Sequence, residues 1–119
     1  WVTRRQEIAS RYLDAFSDLD WLELPVVRPE IEHAWHLFVV QVDERERFME
    51  HLAEQWVASG IHYPIPCHRQ PVYANHPQHA EGTLPYTERI CERIVSIPIH
   101  PLHTEEEIKR VIKAVCSYR

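Results

Sequence analysis

The clearest strand signal in this chain is the stretch Ala34-Trp35-His36-Leu37-Phe38-Val39-Val40-Gln41-Val42. Aromatic and β-branched residues occupy both of its alternating faces, so we predict a strand over residues 33–42. A strand that is apolar on both faces must be covered on both faces. The stretch therefore predicts a sheet enclosed by other elements rather than one that faces water.

The segments on either side of this strand are short. Residues 22–27 read as an extended piece that ends before Pro29. After the strand, Asp43 and Glu46 have the spacing of a capping box, which predicts a helix that continues to Trp56. Residues 57–63 should return as another strand packed beside the previous one, because a helical connection lets neighbouring strands meet.

Both ends of the chain have apolar residues at helical spacing. Thr3 and Gln6 predict a capping box for the first helix, and Thr104 and Glu107 predict one for the last. The residues expected to face inward are Ile8, Ala9, Tyr12, Leu13 and Phe16 in the first helix, and Ile108, Val111, Ile112 and Val115 in the last.

The remaining segments complete a small domain. Residues 74–85 are rich in His, Asn, Gln, Gly and Pro and predict an irregular exposed crossing. A short helix near 87–94 and an extended piece over 95–99 follow. We predict one α+β domain over residues 1–119, with a small antiparallel or mixed sheet of about three strands packed against about four helices and no internal repeat.

Composition excludes several classes of function. The chain has 13 Lys and Arg against 18 Asp and Glu, with no basic block, which argues against nucleic acid as the main partner. No apolar run approaches the length of a membrane span, so no membrane partner is expected. Cys67, Cys91 and Cys116 are an odd number of widely spaced cysteines, and no signal peptide is apparent; this favours a reduced, cytoplasmic setting.

The segment Ser59-Gly60-Ile61-His62-Tyr63-Pro64-Ile65-Pro66-Cys67-His68 crowds two imidazoles, a phenol and a thiol between two prolines. Proline fixes φ and pushes the residue before it into extended geometry, which predicts a rigid loop. Two interpretations stay open: the segment lines a ligand site, or it is a stiff connector whose rings pack on the core. Because neighbouring residues alternate faces, at most one of His62 and Tyr63 should point at a pocket.

This segment, continued through Tyr73, resembles the pattern "T-x-I-H-Y-P-x-P-x-H-x-Q-x-x-Y" of the DegT/DnrJ/StrS family of pyridoxal-phosphate-dependent nucleotide-sugar aminotransferases. Three other blocks agree in the same order. Residues 4–13 resemble the "R-R-x-x-A-x-x-Y" helix, residues 36–42 the "H-L-F-V-I-x-V" strand, and Glu88 with residues 96–101 the "E" and "S-L-P-x-H-P" positions. The resemblance spans essentially the whole chain and corresponds to the C-terminal part of such an enzyme.

The resemblance implies the small C-terminal domain of a fold-type-I enzyme, which closes over an active site built mainly by a large domain. It implies that the segment from Ser59 to His68 faces the cofactor and the sugar. Ser59, His62, Tyr63 and His68 are then substrate-binding candidates that bind and orient, and no residue of this chain is expected to be catalytic. The implied partners are the missing large domain or a second subunit, and a nucleotide sugar that receives an amino group, usually from glutamate.

The chain by itself is predicted to be inactive. Pyridoxal phosphate needs a desolvated lysine for its Schiff base, yet Lys109 and Lys113 are predicted on the polar face of the last helix. Its phosphate needs backbone amides at a glycine-rich turn, and the two glycines here are Gly60 and Gly82. We therefore expect pyridoxal phosphate in the complete enzyme and no cofactor for this chain alone.

One position departs from the family pattern. Where the family has the glycine of "G-I-x-T", this chain has Trp56-Val57-Ala58-Ser59. A helix-ending glycine relieves strain at positive φ, so Trp56 should either cost stability or adopt a different turn. Its ring is also expected near the surface, where it could seed association.

Three alternatives come from other classes. Possible metal pairs are His33-x-x-His36, His76-x-x-His79, His100-x-x-His103 and Cys67-His68, but none has the spacing of a known zinc site, so no metal is predicted. A Cys67/His68 nucleophile is disfavoured because adjacent residues of an extended loop point apart. The stronger alternative is a free-standing, non-enzymatic binding or oligomerisation module derived from the same domain, for which a homodimer would be the signature.

Overall fold

The computed structural model describes residues 1–73, 75, 82 and 84–118. This part of the chain contains four helices and two strands: α1 (Val2–Phe16), β1 (Phe38–Gln41), α2 (Arg45–Glu54), α3 (Pro85–Arg93), β2 (Ile94–Ile97) and α4 (Glu105–Cys116). Two 3-10 turns, Cys67–Arg69 and Pro71–Tyr73, lie between α2 and α3. The predicted α+β class and the number of helices are confirmed, whereas most of the predicted crossing at 74–85 lies outside the described residues.

The sheet is smaller than predicted. β1 and β2 pair antiparallel and form a two-stranded sheet, which isolated antiparallel bridges extend at Glu23 with Gln41 and at Gly60 with Ser96. The prediction of about three strands is therefore not confirmed in the described residues. The predicted extended segment over 22–27 meets the sheet at Glu23 alone.

The predicted strand over 57–63 contributes a single residue to the sheet. Gly60 and Ser96 exchange two backbone hydrogen bonds of 3.0 and 2.7 Å. Beyond this bridge, Pro64 and Pro66 lack the N–H that a continued ladder would need. Because Gly60 pairs with β2, which lies between it and β1, the prediction that this segment packs beside the preceding strand is wrong.

β1 is shorter than the strand predicted over 33–42. Trp35 has a φ of 49°, which is outside the extended region, and its amide donates to Nδ1 of His33 at 2.9 Å. Side chains in β1 alternate between buried and half-buried, whereas all four residues of β2 are buried. The strand that is fully enclosed is therefore β2 rather than β1.

One apolar core joins α1, α2, α4 and the sheet. The rings of Tyr12 and Phe38 meet edge to face with centroids 5.3 Å apart, and Trp35 stacks on Phe38 at 5.2 Å. Burial raises the pKa of Tyr12, so its hydroxyl stays protonated and donates to the carbonyl of Pro98 at 2.9 Å. The inward faces predicted for α1 and α4 are confirmed: Ile8, Ala9, Phe16, Ile108, Val111 and Val115 are also buried, and Leu13 and Ile112 pack against them.

Of the three predicted capping boxes, one forms. Thr104 accepts from the Glu107 amide at 3.2 Å, and the Glu107 carboxylate accepts from the Thr104 amide at 2.8 Å. The box at Thr3 is wrong because α1 begins at Val2 and Thr3 lies inside the helix. The box at Asp43 is also wrong, because α2 starts after Glu44 and the Asp43 carboxylate instead accepts from Arg93 at 2.8 Å.

α2 ends in a Schellman motif that carries Trp56 in the left-handed position. The amide of Val57 donates to the carbonyl of Leu52 at 2.9 Å, and that of Trp56 donates to Ala53 at 3.0 Å. Trp56 has a φ of 59°, and its side chain is 87% exposed. The glycine-type turn is thus kept, and the different turn that the sequence also allowed does not form. We expect backbone strain of about 1–2 kcal/mol for a residue with a Cβ in this position.

Candidate functional site

Ser59 and His62 line one side of an open groove of about 290 Å³ at the edge of β2, with Ile97 and Ile99 among its apolar lining residues. The Nδ1 atom of His62 and the hydroxyl of Ser96 share a hydrogen bond of 2.9 Å, which fixes the imidazole against the buried strand. A Cβ added at Gly60 would lie 3.2 Å from Cε1 of His62, so the ring packs directly over this glycine. The groove therefore has an oriented imidazole and a hydroxyl above an apolar wall.

Tyr63 lies outside this groove. Its side chain is 73% exposed, and its ring meets that of His62 edge to face with centroids 5.7 Å apart. The peptide bond between His62 and Tyr63 is cis. Of these two neighbours, the groove is lined by His62 alone.

His68 is buried in the 3-10 turn Cys67–Arg69, with 6% of its surface exposed. Its Nε2 atom shares a hydrogen bond of 2.8 Å with Glu88 of α3. This bond, followed by the amide of Gly82 at 3.0 Å from both carboxylate oxygens, holds the pKa of Glu88 below its ordinary value. Glu88 thus ties the segment that carries His68 to the first half of α3.

The four predicted site residues do not converge on one described pocket. Ser59 and His62 share the groove, Tyr63 is exposed, and His68 is turned into the protein against α3. The segment is consequently a groove wall at Ser59 and His62 and a packed connector at His68.

Sequence reasoning missed three residues of this region. His36 lines the same groove as His62, whereas the sequence predicts it only as part of an apolar strand. Ser96 and Glu88 occupy family motif positions, yet no role was assigned to them, because their partners are 34 and 20 residues away in sequence. A polar motif residue within a buried element needs a hydrogen-bond partner. This requirement is the sequence signal that could have identified them.

The lysines and glycines that the structure describes do not fit pyridoxal phosphate. Lys109 and Lys113 are exposed on α4, where a Schiff-base amine would not be desolvated. The backbone amide of Gly60 already donates to the carbonyl of Ser96, and the ring of His62 packs over this glycine. Gly82 donates its amide to Glu88, a carboxylate that would repel a phosphate. A desolvated Schiff-base lysine for such a cofactor would have to come from outside this sequence.

Metal and nucleophile sites also find no support. In the described part of the chain, no group of three or more His, Cys, Asp or Glu side chains could hold a metal ion; the pair His76-x-x-His79 lies outside that part. The Nε2 atom of His68 is engaged by Glu88, so it is not poised to activate Cys67. No helix among the described residues is long and apolar enough to cross a bilayer.

Fold and site together define an α+β domain that presents a proline-stiffened, hydrogen-bonded segment at the edge of a small sheet. A model of the DegT/DnrJ/EryC1/StrS aminotransferase family matches residues 1–116. The chain belongs to this family, and the resemblance stated from its motifs is confirmed.

Two curated relatives show what part of a family member the chain represents. It is 44% identical over 115 residues to a dTDP-3-amino-3,6-dideoxy-alpha-D-galactopyranose transaminase of Aneurinibacillus thermoaerophilus, with 97% of this chain and 31% of the relative covered. It is 36% identical to a dTDP-3-amino-3,4,6-trideoxy-alpha-D-glucose transaminase of Streptomyces venezuelae, with 97% and 30% covered. The chain thus spans about three-tenths of the length of these relatives.

Solved structures agree on the fold. The crystal structure of DesV from S. venezuelae in complex with a ketimine intermediate superposes with a TM-score of 0.91 at 36% identity, covering 97% of this chain and 31% of that one. A family aminotransferase from Brucella abortus superposes with a TM-score of 0.83 at 28% identity, covering 97% and 30%. The arrangement of helices around the sheet is therefore that of one portion of these enzymes.

Proposed function

We propose that this chain is the C-terminal small domain of a pyridoxal-phosphate-dependent sugar aminotransferase and supplies the substrate side of an active site completed elsewhere. The observation that supports this most is the family match over residues 1–116 together with coverage of only about three-tenths of each relative. The reaction is amino transfer to a keto-sugar nucleotide, usually from glutamate, and the names of the relatives favour a dTDP-linked sugar.

The site residues bind and orient the sugar nucleotide. The Ser59 hydroxyl and the His62 imidazole offer donors and acceptors for sugar hydroxyls. The apolar wall beside them can pack against the face of the sugar ring. Tyr63 is exposed and meets the substrate or the partner domain once the site is assembled. His68 acts as a positioning residue, because its hydrogen bond to Glu88 fixes the connector that follows the groove. Their common contribution is orientation of the reactants.

The catalytic lysine and the cofactor contacts belong to a large domain or a second subunit, and the chain alone is inactive. The three free cysteines in the described residues favour a reducing, cytoplasmic location. The complete enzyme is proposed to be a homodimer.

A chimera tests the proposal. This chain would replace the corresponding C-terminal portion of the A. thermoaerophilus transaminase, its 44% identical relative, and amino transfer would be followed with that enzyme's dTDP-keto-sugar. We expect measurable transamination, and we expect none from the same enzyme truncated before the replaced portion. Absorbance of the bound cofactor and circular dichroism report whether the chimera is folded and loaded.

A folded, loaded chimera without turnover would contradict the proposal. A second comparison tests whether the groove binds the sugar nucleotide. His62→Ala in the chimera should raise KM for the sugar nucleotide several-fold. His33→Ala, which changes an exposed histidine outside this groove, should not. Equal effects of the two substitutions would remove His62 from the site.

One observation favours the free-standing module as a second candidate. The exposed ring of Trp56 adjoins Met49 and Ala53 of α2 and Ala58 on an open apolar surface, and such patches mediate association. If this candidate is correct, the purified chain forms a discrete dimer in light scattering, and Trp56→Ala weakens it. A monomer at all concentrations would exclude it.

A further inference from the structure

Two free thiols flank the hydrogen bond that joins the segment 59–73 to α3. Cys67 directly precedes His68, and Cys91 lies three residues after Glu88, one turn further along the same face of α3. Because Nε2 of His68 lies 2.8 Å from Glu88, the backbone next to Cys67 and the helical turn that ends at Cys91 are held against each other.

The surroundings of Cys91 are partly shielded and charged. Its pKa is raised first by burial and then by the thiol of Cys67, while Arg45 opposes the shift. Arg45 also donates to the carbonyl of Cys91 at 2.7 Å, so this cation anchors the end of α3.

The two cysteines differ in access. Cys67 is exposed, Cys91 is half-buried, and both are free thiols. An exposed thiol is the one that a soluble oxidant reaches first, and a shielded neighbour is protected from direct attack but can react with the oxidised sulfur. This asymmetry is the arrangement of an attacking and a resolving cysteine.

We propose that Cys67 and Cys91 form a redox-sensitive pair that a hydroperoxide converts into a disulfide, which locks the segment 59–73 onto α3. This device belongs to the chain itself and does not depend on the proposed aminotransferase function. In an assembled enzyme it would restrict the movement of the connector next to the groove.

The chemistry balances with the hydroperoxide as oxidant. The thiolate of Cys67 attacks the peroxide oxygen, the O–O bond breaks, and a sulfenic acid forms while water or an alcohol leaves. The thiol of Cys91 then attacks the sulfenic sulfur: the S–S bond forms, the S–O bond breaks, and the hydroxyl leaves with the proton of Cys91 as water. Two thiols lose two electrons in total, and the O–O bond accepts them.

Cys116 provides a matched control. It is the third free cysteine, it lies on α4, and its Sγ contacts the carbonyl of Ala15 at 3.7 Å. It therefore belongs to the α1–α4 face rather than to the contact between the segment 59–73 and α3. Removing its thiol should leave the proposed pair intact.

The test treats the purified, reduced chain with hydrogen peroxide, blocks the remaining thiols by alkylation and maps the peptides by mass spectrometry. We expect an intramolecular link between Cys67 and Cys91 in the parent chain and in Cys116→Ser, and its loss in Cys67→Ser and Cys91→Ser. The linked chain should melt at a temperature about 4 °C or more higher than the reduced chain, because the crosslink restricts the unfolded state. A phosphine reductant should reverse both changes.

Two results would overturn the proposal. In the first, Cys67 is oxidised to sulfinic acid while Cys91 can still be alkylated. A disulfide needs Cα atoms about 4.4–6.8 Å apart, so this result would show that the two cysteines do not come within that distance. The other is crosslinking exclusively between molecules. Cys91→Ala serves as a second variant if Cys91→Ser proves unfolded by circular dichroism.

Discussion

The α1–α4 core and the segment 59–73 are held in place by different forces. In the core, Ile8, Phe38 and Ile108 are completely buried, and aromatic rings pack on one another across α1 and β1. In the segment, His68 is the one buried residue, and the position of the chain depends on the bridge from Gly60 to Ser96 and on the two histidine hydrogen bonds.

This difference determines how each region responds to substitution. Burial of apolar surface is spread over many contacts, each fully buried side chain contributing about 1.5–3 kcal/mol, so the core is lost or kept as a unit. A single hydrogen bond contributes about 0.5–1.5 kcal/mol net, so the segment can change position while the core stays folded. A substitution in the segment can therefore shift its position without refolding the domain.

The largest expected effect comes from breaking the core. Phe38→Ala removes a completely buried ring that contacts both Tyr12 and Trp35, and the cavity should lower the free energy of unfolding by about 3–5 kcal/mol. Because β1 pairs with β2 and β2 pairs with Gly60, hydrogen-exchange protection should fall in the core and in the segment together. Urea denaturation measures the loss.

Val26→Ala is the control for this experiment. Its side chain is 93% exposed, so the change in the free energy of unfolding should stay within about 0.5 kcal/mol. If Phe38→Ala lowered protection in the segment alone, the two regions would not be coupled through the sheet as described.

An intermediate effect is expected at Trp56, the turn between the core helix α2 and the segment. Trp56→Gly relieves a left-handed residue with φ of 59°, and after the larger entropy of glycine in the unfolded chain is subtracted, stability should rise by about 0.5–1 kcal/mol. Thermal melting measures the gain. Trp56→Ala keeps the Cβ and should show no comparable gain; an equal gain would assign the cost to the exposed ring instead.

The smallest expected effect is a pH-dependent loss of protection in the segment while the core stays folded. Because the hydrogen bond from His68 lowers the pKa of Glu88 below its ordinary 4.5, the stabilisation is fully present above that value and is lost as the pH falls through the lower, folded pKa. Hydrogen-exchange protection of residues 67–69 should decrease over that range, before the core opens.

Glu88→Gln sharpens this comparison. The variant has no titrating carboxylate at this position, so protection at 67–69 should be lower than in the parent at neutral pH and should lose its dependence on pH near and below 4.5. Other carboxylates with a lowered pKa, such as that of Glu105 between Arg4 and Arg11, are present in both proteins. The same pH dependence in parent and variant would show that Glu88 does not hold the segment.

The elements that the sequence predicted well are those specified by neighbours in sequence. The inward faces of α1 and α4 follow from helical periodicity, and the box of Thr104 and Glu107 needs residues three apart. Two other boxes with the same spacing failed at Thr3 and Asp43, because a helix start also depends on what else a side chain can bind; Asp43 finds Arg93, fifty residues away. Local signals therefore gave the helices but not all of their boundaries.

By itself, the sequence determined the family, the α+β class and the helical faces, because periodicity and motif order are local properties of the chain. The tertiary structure alone decided that β2 lies between β1 and Gly60, that Trp56 keeps the left-handed turn, and that His68 turns inward to Glu88. These outcomes depend on which distant groups can satisfy a buried backbone or side-chain polar atom. That competition is settled only when the whole core is packed.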